Sequence, residues 1–182
     1  MKAGFHIVKP GFHAVPARAP TARRHPGSRR RAAVRRLSGV IPVVEYDPAW
    51  PGRFEQLRQG YAEALTAGGV PVLAIEHVGS TSVPGLAAKP VIDCDIVVAE
   101  QHVAAASQTL SGLGFKPLGE LGVPLRWAFS EPARLARTNT YVVVAGALSL
   151  RNHLAVRDTL RAHPDLREQY ATCEAWVTWG ST

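Results

Sequence analysis

The sequence predicts an α+β fold, a mixed β-sheet with helices packed on it, and three observations predict it. Apolar residues recur at helical spacing in four segments. Short β-branched runs stand between them, bounded by Gly and Pro. The two kinds of segment mix without the strict alternation that a doubly wound parallel sheet requires. At 182 residues and 46% hydrophobic content the chain is long enough for one domain with a real core. No apolar run approaches the ~18 residues that would span a bilayer.

Taken in order, residues 41–46 read as a short strand. The segment from Asp47-Pro48 onward reads as a helix, because Trp50, Phe54, Leu57, Tyr61 and Leu65 fall on one face and Gly68-Gly69 stop it. Residues 72–78 read as a strand, 79–89 as a loop and 90–98 as a strong strand. An Ala-rich helix follows over 100–112 and ends at "SGLG". "LRWAFS" and "NTYVVVAG" read as later strands that pair with each other. Helices are predicted over 148–163, closed by His163-Pro164, and over 165–177.

The net charge of +7 belongs to one end of the chain. Residues 1–40 hold ten of the 21 Lys/Arg and none of the 14 Asp/Glu, so they carry +10; the remainder holds eleven basic and fourteen acidic residues and carries −3. A mildly acidic domain is a poor nucleic-acid binder, and contact with RNA is expected only as weak, non-specific phosphate binding by "RRHPGSRRRAAVRR". Residues 1–39 read as a basic disordered extension, as an Arg-rich transit peptide, or as translation from a mis-assigned start with Val40 the true beginning. No clean apolar stretch follows the charges, which argues against a secretory signal. Cys94 and Cys173 stand far apart in no metal-binding spacing and read as free thiols in a reducing cytoplasm.

The chemistry concentrates in "IEHVGSTSVPGLAAKPVIDCDIVV", residues 75–98. Alternate strand residues share a face, so Asp93 and Asp95 point the same way, about 6.6 Å apart along the strand at about 3.3 Å per residue. Two like charges so close require a cation, hydrogen bonds or protonation. Carboxylates of this kind suit Mg²⁺ shared with phosphate oxygens. The competing reading is a water-facing sheet surface that alternates apolar and polar residues. The preceding loop favours the first: the backbone N–H groups of Gly79 to Ser82 with the Ser80 and Thr81 hydroxyls form a candidate phosphate cradle, and Lys89 adds a positive charge. Further along, a helical wheel over "LRNHLAVRDTLR" puts His153 and Arg157 inside the apolar arc of Leu150, Leu154, Val156 and Leu160, with Asp158 outside it. The inward Arg157 is expected either to bridge to Asp93 or Asp95 or to grip a ligand phosphate. Arg161 falls on the same arc near the helix end. Arg126, in "VPLRW", is a further phosphate candidate.

A Gly-Ser turn followed by a strand bearing Asp-x-Asp resembles the polymerase-beta-type nucleotidyltransferase superfamily. More closely, "YDPAWPGRFE", "IEHVGSTSVPGLAAKPVID" and "LRNHLAVRDTLRAHPDLREQYA" resemble the GrpB family, over about residues 41–172; some of its relatives are fused to dephospho-CoA kinase. The resemblance implies a nucleotidyltransferase-like domain over 40–182. It implies that Gly79 and Ser80 contact nucleotide phosphates and that Asp93 and Asp95 hold a metal. His77 and Lys89 match the family motif without an assigned role. Many members keep the first aspartate with an apolar residue at the second, so the presence of both here favours metal binding. Two departures stand out. Active transferases place a third carboxylate on a later strand, whereas "TNTYVVVAG" has no acid, and Thr138 stands where relatives carry a histidine. Relatives also continue beyond the Tyr170 region, so the C-terminus reads as truncated. The expectation is a Mg²⁺-dependent nucleotidyltransferase acting on an unknown acceptor; the alternative is a non-catalytic module that binds a nucleotide, a CoA metabolite or another phosphate-bearing small molecule. The third reading is an interaction protein working through the basic tail.

Overall fold

The computed structural model describes residues 41–179. The basic extension, whatever its role, lies outside the described residues. Helix α1 (Trp50–Ala67) begins where predicted: the Asp47 carboxylate accepts the Ala49 N–H at 2.8 Å, and Pro51 occupies the first turn, where its missing N–H is not needed. Gly69, at φ 67°, ends it. There follow β1 (Ala74–Val78), β2 (Ile92–Val98), α2 (Val103–Gly112), β3 (Lys116–Gly119), β4 (Arg126–Ser130), β5 (Thr138–Val144), α3 (Leu148–Ala162) and α4 (Pro164–Trp179).

The strands form one sheet in the order β1-β2-β5-β4-β3, with β2 and β5 parallel at its centre and every other pair antiparallel. The mixed sheet and packed helices are those the sequence predicts, and "LRWAFS" does pair with "NTYVVVAG". Two elements differ. Residues 41–46 make only a single bridge, Val44 with Ala88, and no strand. β3 arises unpredicted from a segment containing Pro117 and Gly119. Both residues weaken a strand and suit the sheet edge, where β3 lies.

One face of β2 is apolar. Cys94, Ile96 and Val98 pack with Tyr61 and Leu65 of α1 and Leu110 of α2 in the main core. Full burial of a side chain such as Leu65, Leu110 or Ile96 is worth roughly 2 kcal/mol each. Cys94 is a free, buried thiol whose ionisation burial pushes far upward, so it is inert at neutral pH; the Cys173 side chain lies outside the described set. On the opposite face of β2, Asp93 and Asp95 face α3, which lies across β1 and β5. Among the described residues no helix is long and apolar enough to cross a membrane.

Candidate functional site

The turn after β1 is built around a backbone that only glycine allows. Val78 pairs in register with Asp93, and the chain then turns at Gly79 with φ 69° and ψ −178°. A Cβ on Gly79 would overlap the Asp93 carboxylate, coming within 2.9 Å of Cγ and 3.1 Å of Cβ. The glycine therefore lets the turn lie directly on Asp93. A single 3₁₀ turn over Ser80–Ser82 follows, closed by the Ser82 hydroxyl donating to the Gly79 carbonyl at 2.6 Å.

The Thr81 hydroxyl, expected to face a phosphate, is turned into the protein instead. It is buried, and its hydroxyl donates to the Val91 carbonyl at 2.9 Å. With that proton committed, the same hydroxyl accepts from His77 Nε2 at 3.2 Å. His77 stacks on Phe54 with centroids 4.6 Å apart, and burial lowers its pKa to about 4, so it is neutral. His77 and Thr81 thus anchor the loop from within. Outside, Arg161 donates twice to the Ser82 carbonyl, at 3.0 and 2.7 Å, and Arg167 to the Pro84 carbonyl at 3.0 Å.

The two aspartates are not on a wet face. Asp95 is fully buried and Asp93 half-buried. Asn139 of β5, in register with Asp93, donates to its Oδ1 at 2.7 Å. Asp95 Oδ2 receives His153 Nδ1 at 2.7 Å. That hydrogen bond, and the Asp95 charge behind it, outweigh burial and raise the His153 pKa above its ordinary value, which favours the protonated ring beside the carboxylate. Asp95 Oδ1 is buried and has no partner among the described residues. An unsatisfied buried carboxylate oxygen costs about 1–3 kcal/mol or more, which a fold retains where the oxygen has a further use.

Arg157 points inward as the wheel predicts, but its partner is neither Asp93 nor Asp95. Its Nη1 binds Glu76 at 2.7 Å and the His77 carbonyl at 3.1 Å, and its Nε binds Asp158 at 2.8 Å. The reason lies in the register. Glu76 stands directly opposite Asp95, an acid pair across β1 and β2 that repels itself. His153 and Arg157, four residues apart on α3, present an imidazole and a guanidinium to those two carboxylates. Glu76 and Asn139 are the residues the sequence reading missed; their facing positions become visible only once strand register is known.

Arg126 shares this face and lies 4.6 Å over the Tyr141 ring, with its Nε buried and unpartnered among the described residues. Lys89 is exposed, and its side chain makes no hydrogen bond or ion pair among the described residues. It does not line the cavity beside Ser80. That cavity, about 240 Å³, lies between the Gly79-Ser80 turn and the two C-terminal helices, with Val83, Val156, Leu160 and Tyr170 as its apolar walls and His153 and Arg157 at its edge.

Among the described residues no three His, Cys, Asp or Glu are grouped to hold a metal by themselves. The donor set nevertheless fits Mg²⁺ arriving with a phosphate, since that ion takes one or two carboxylates and fills its remaining places from phosphate and water. The orphaned Asp95 Oδ1 beside Asp93 is the observation that supports the fit.

A five-stranded mixed sheet with a Gly-Ser turn abutting Asp-x-Asp is a nucleotidyltransferase-like fold. The Cid1 poly(U) polymerase, solved with MgGTP bound, superposes with a TM-score of 0.54 over 73% of this chain and 44% of that one, at 14% identity. A family model, GrpB protein, matches residues 40–177, and the chain belongs to the GrpB family. The crystal structure of GrpB from Enterococcus faecalis superposes with a TM-score of 0.67 at 30% identity, over 76% of this chain and 84% of that one. Curated relatives include UPF0157 protein YqkA of Bacillus subtilis, 30% identical over 72% of this chain, and a UPF0157 protein of Pseudomonas aeruginosa, 40% identical over 72%. The matches span 38% and 54% of those two relatives. A dephospho-CoA kinase of Mycolicibacterium paratuberculosis is 30% identical over 71% of this chain, which covers 38% of that protein.

Proposed function

We propose that the chain binds a nucleoside triphosphate together with Mg²⁺ at the Gly79-Ser80 turn and acts as a nucleotidyltransferase on an acceptor yet to be identified. The observation that carries this reading is the fully buried Asp95 carboxylate with one oxygen paired to His153 and the other unpartnered, beside a turn that rests on Asp93. Asp93 and Asp95 would hold the ion, which when bound would draw charge off the phosphates. The Ser80 hydroxyl and the backbone N–H groups of the turn would hold phosphate oxygens. Asn139 fixes the Asp93 rotamer. His153, whose pKa Asp95 raises, would when protonated lower the negative charge that an incoming phosphate meets. The apolar cavity beside Ser80 has room for a base-sized ring. Arg157 serves as the clamp on Glu76 rather than as a ligand group.

A second reading, a nucleotide- or CoA-metabolite-binding module without catalysis, is favoured by Asn139. It occupies the place on β5 opposite Asp93, on the strand where active transferases carry a third carboxylate, and no other acid on β5 replaces it. The test is thermal-shift and calorimetric titration of the four ribonucleoside triphosphates and dephospho-CoA, with and without Mg²⁺, on wild type, Asp93→Ala and Asp95→Asn. Binding that requires both the ion and the carboxylates is expected. Binding unchanged in Asp93→Ala overturns the site. A radiolabelled nucleotidyl product separates transfer from mere binding.

A further inference from the structure

On the opposite side of β2, beneath the first turns of α1, lies a second cavity of about 400 Å³. Its floor is apolar, made by Leu57, Ile92 and Leu135, and its rim carries Arg53, Arg134 and Arg137. Among the described residues no carboxylate lines it. Arg53 is partly neutralised by Asp47, 3.1 Å away. Arg134 donates to the Leu113 carbonyl at 2.6 Å, which fixes its guanidinium without removing its charge. The Arg137 side chain makes no hydrogen bond or ion pair among the described residues, and its backbone stands at φ 70°, a left-handed conformation that a long side chain rarely adopts. Its carbonyl accepts the Ile92 N–H at 3.0 Å, so this strained residue is tied to the very start of the central β2–β5 pair. Strain of this kind, held at a cavity mouth beside a charge with no partner, is how a fold stores a binding residue.

We infer that this cavity is an anion site for a phosphorylated small molecule, with the arginine rim on the phosphate and the apolar floor under its body. Three arginines lining one concave surface with an apolar floor suit a phosphate monoester or diphosphate, to which arginine donates bidentately. The site is independent of the Gly79-Ser80 region: Ile92 and Thr138 face it, while their neighbours Asp93 and Asn139 face the other side of the sheet. A ligand here would nonetheless sit one residue from each of those two side chains.

The probe is pyrophosphate, titrated calorimetrically into the full chain in buffer without divalent cations, so that the carboxylate face repels it. Arg137→Gly is the most informative variant, because glycine suits φ 70° and removes the guanidinium without a folding penalty. Its melting temperature is expected to stay level or rise while affinity falls tenfold or more, and Arg134→Ala should show a similar loss. Asp93→Ala and Arg151→Ala, the latter an exposed arginine elsewhere, should change affinity by no more than twofold. Equal losses in Arg151→Ala and the rim variants would mean that pyrophosphate senses only net charge, and would overturn the site. So would the absence of heat at millimolar pyrophosphate, or affinity lost in Asp93→Ala and kept in Arg137→Gly. Failure here leaves nucleotide binding at Asp93 untouched, and the reverse also holds.

Discussion

Replacing Gly79 by Ala tests the junction between the turn and the carboxylate most directly. Two penalties act together. The backbone at φ 69°, ψ −178° lies in a region open essentially to glycine alone, and occupying it with a Cβ costs about 1–3 kcal/mol. The new methyl also overlaps Asp93, which must swing away and lose Asn139, a packing conflict of about 1–3 kcal/mol. The expected destabilisation is about 3–4 kcal/mol, or roughly a 10 °C fall in melting temperature for a domain of this size. Gly69→Ala is the control, since its φ of 67° is similar but nothing lies within 4 Å of the added atom; it should lose only about 1–2 kcal/mol. Thermal and urea denaturation of Gly79→Ala, Asp93→Ala and the double variant complete a cycle. The clash disappears once the carboxylate is gone, so the double variant should be more stable than the sum of the single changes predicts, by about 1 kcal/mol or more. If Gly79→Ala costs no more than Gly69→Ala, or the cycle closes additively, the turn does not rest on Asp93 and the site geometry is wrong.

Stability should depend on pH through two histidines with opposite signs. His77 is neutral in the fold with a pKa of about 4, so its contribution is full above about pH 6.5 and is lost as pH falls toward 4, up to about 3 kcal/mol; His77→Gln should flatten that acid limb of a melting-temperature profile. His153 behaves in reverse: its pKa is raised by Asp95, so the pair stabilises fully below about pH 6.5 and fades as pH climbs through the raised value, and His153→Gln should remove the alkaline slope. Arg157→Ala leaves Glu76 facing Asp95 without its cation and should lower stability by about 2–4 kcal/mol. The same change should alter nucleotide affinity, measured on the folded fraction, by no more than about threefold; a larger loss would return Arg157 to the ligand.

Much of the architecture is legible in local patterns. The spacing of Trp50, Phe54, Leu57, Tyr61 and Leu65 defines α1, and alternation in β2 sets Asp93 and Asp95 on one face; both patterns are local consequences of helix and strand periodicity. Periodicity also turns His153 and Arg157 inward. What it cannot supply is the partner of each. Glu76 becomes the counter-charge of Arg157 only because β1 and β2 pair with Glu76 opposite Asp95, and one residue of slip would send Glu76 to the other face. Thr81 resembles a loop hydroxyl available to a ligand until the Val91 carbonyl and His77 are brought beside it by folding. β3 escapes notice because Pro117 and Gly119 oppose strand propensity, and pairing with β4 overrides them.

The parallel pairing of β2 and β5 has a consequence for the order in which the molecule assembles. Asp93 finds Asn139 46 positions later in the chain, and Asp95 finds His153 58 positions later. A nascent chain that has emerged only as far as β2 holds both carboxylates with no counter-charge, and its most hydrophobic strand lacks the neighbour that flanks it in the sheet. Parallel, non-local pairing of this kind closes slowly. β2 therefore gains its second neighbour only after β5 has left the ribosome and the Asp95 partner His153 only after α3 has, and a ribosome stalled before β5 would present an exposed β2 edge.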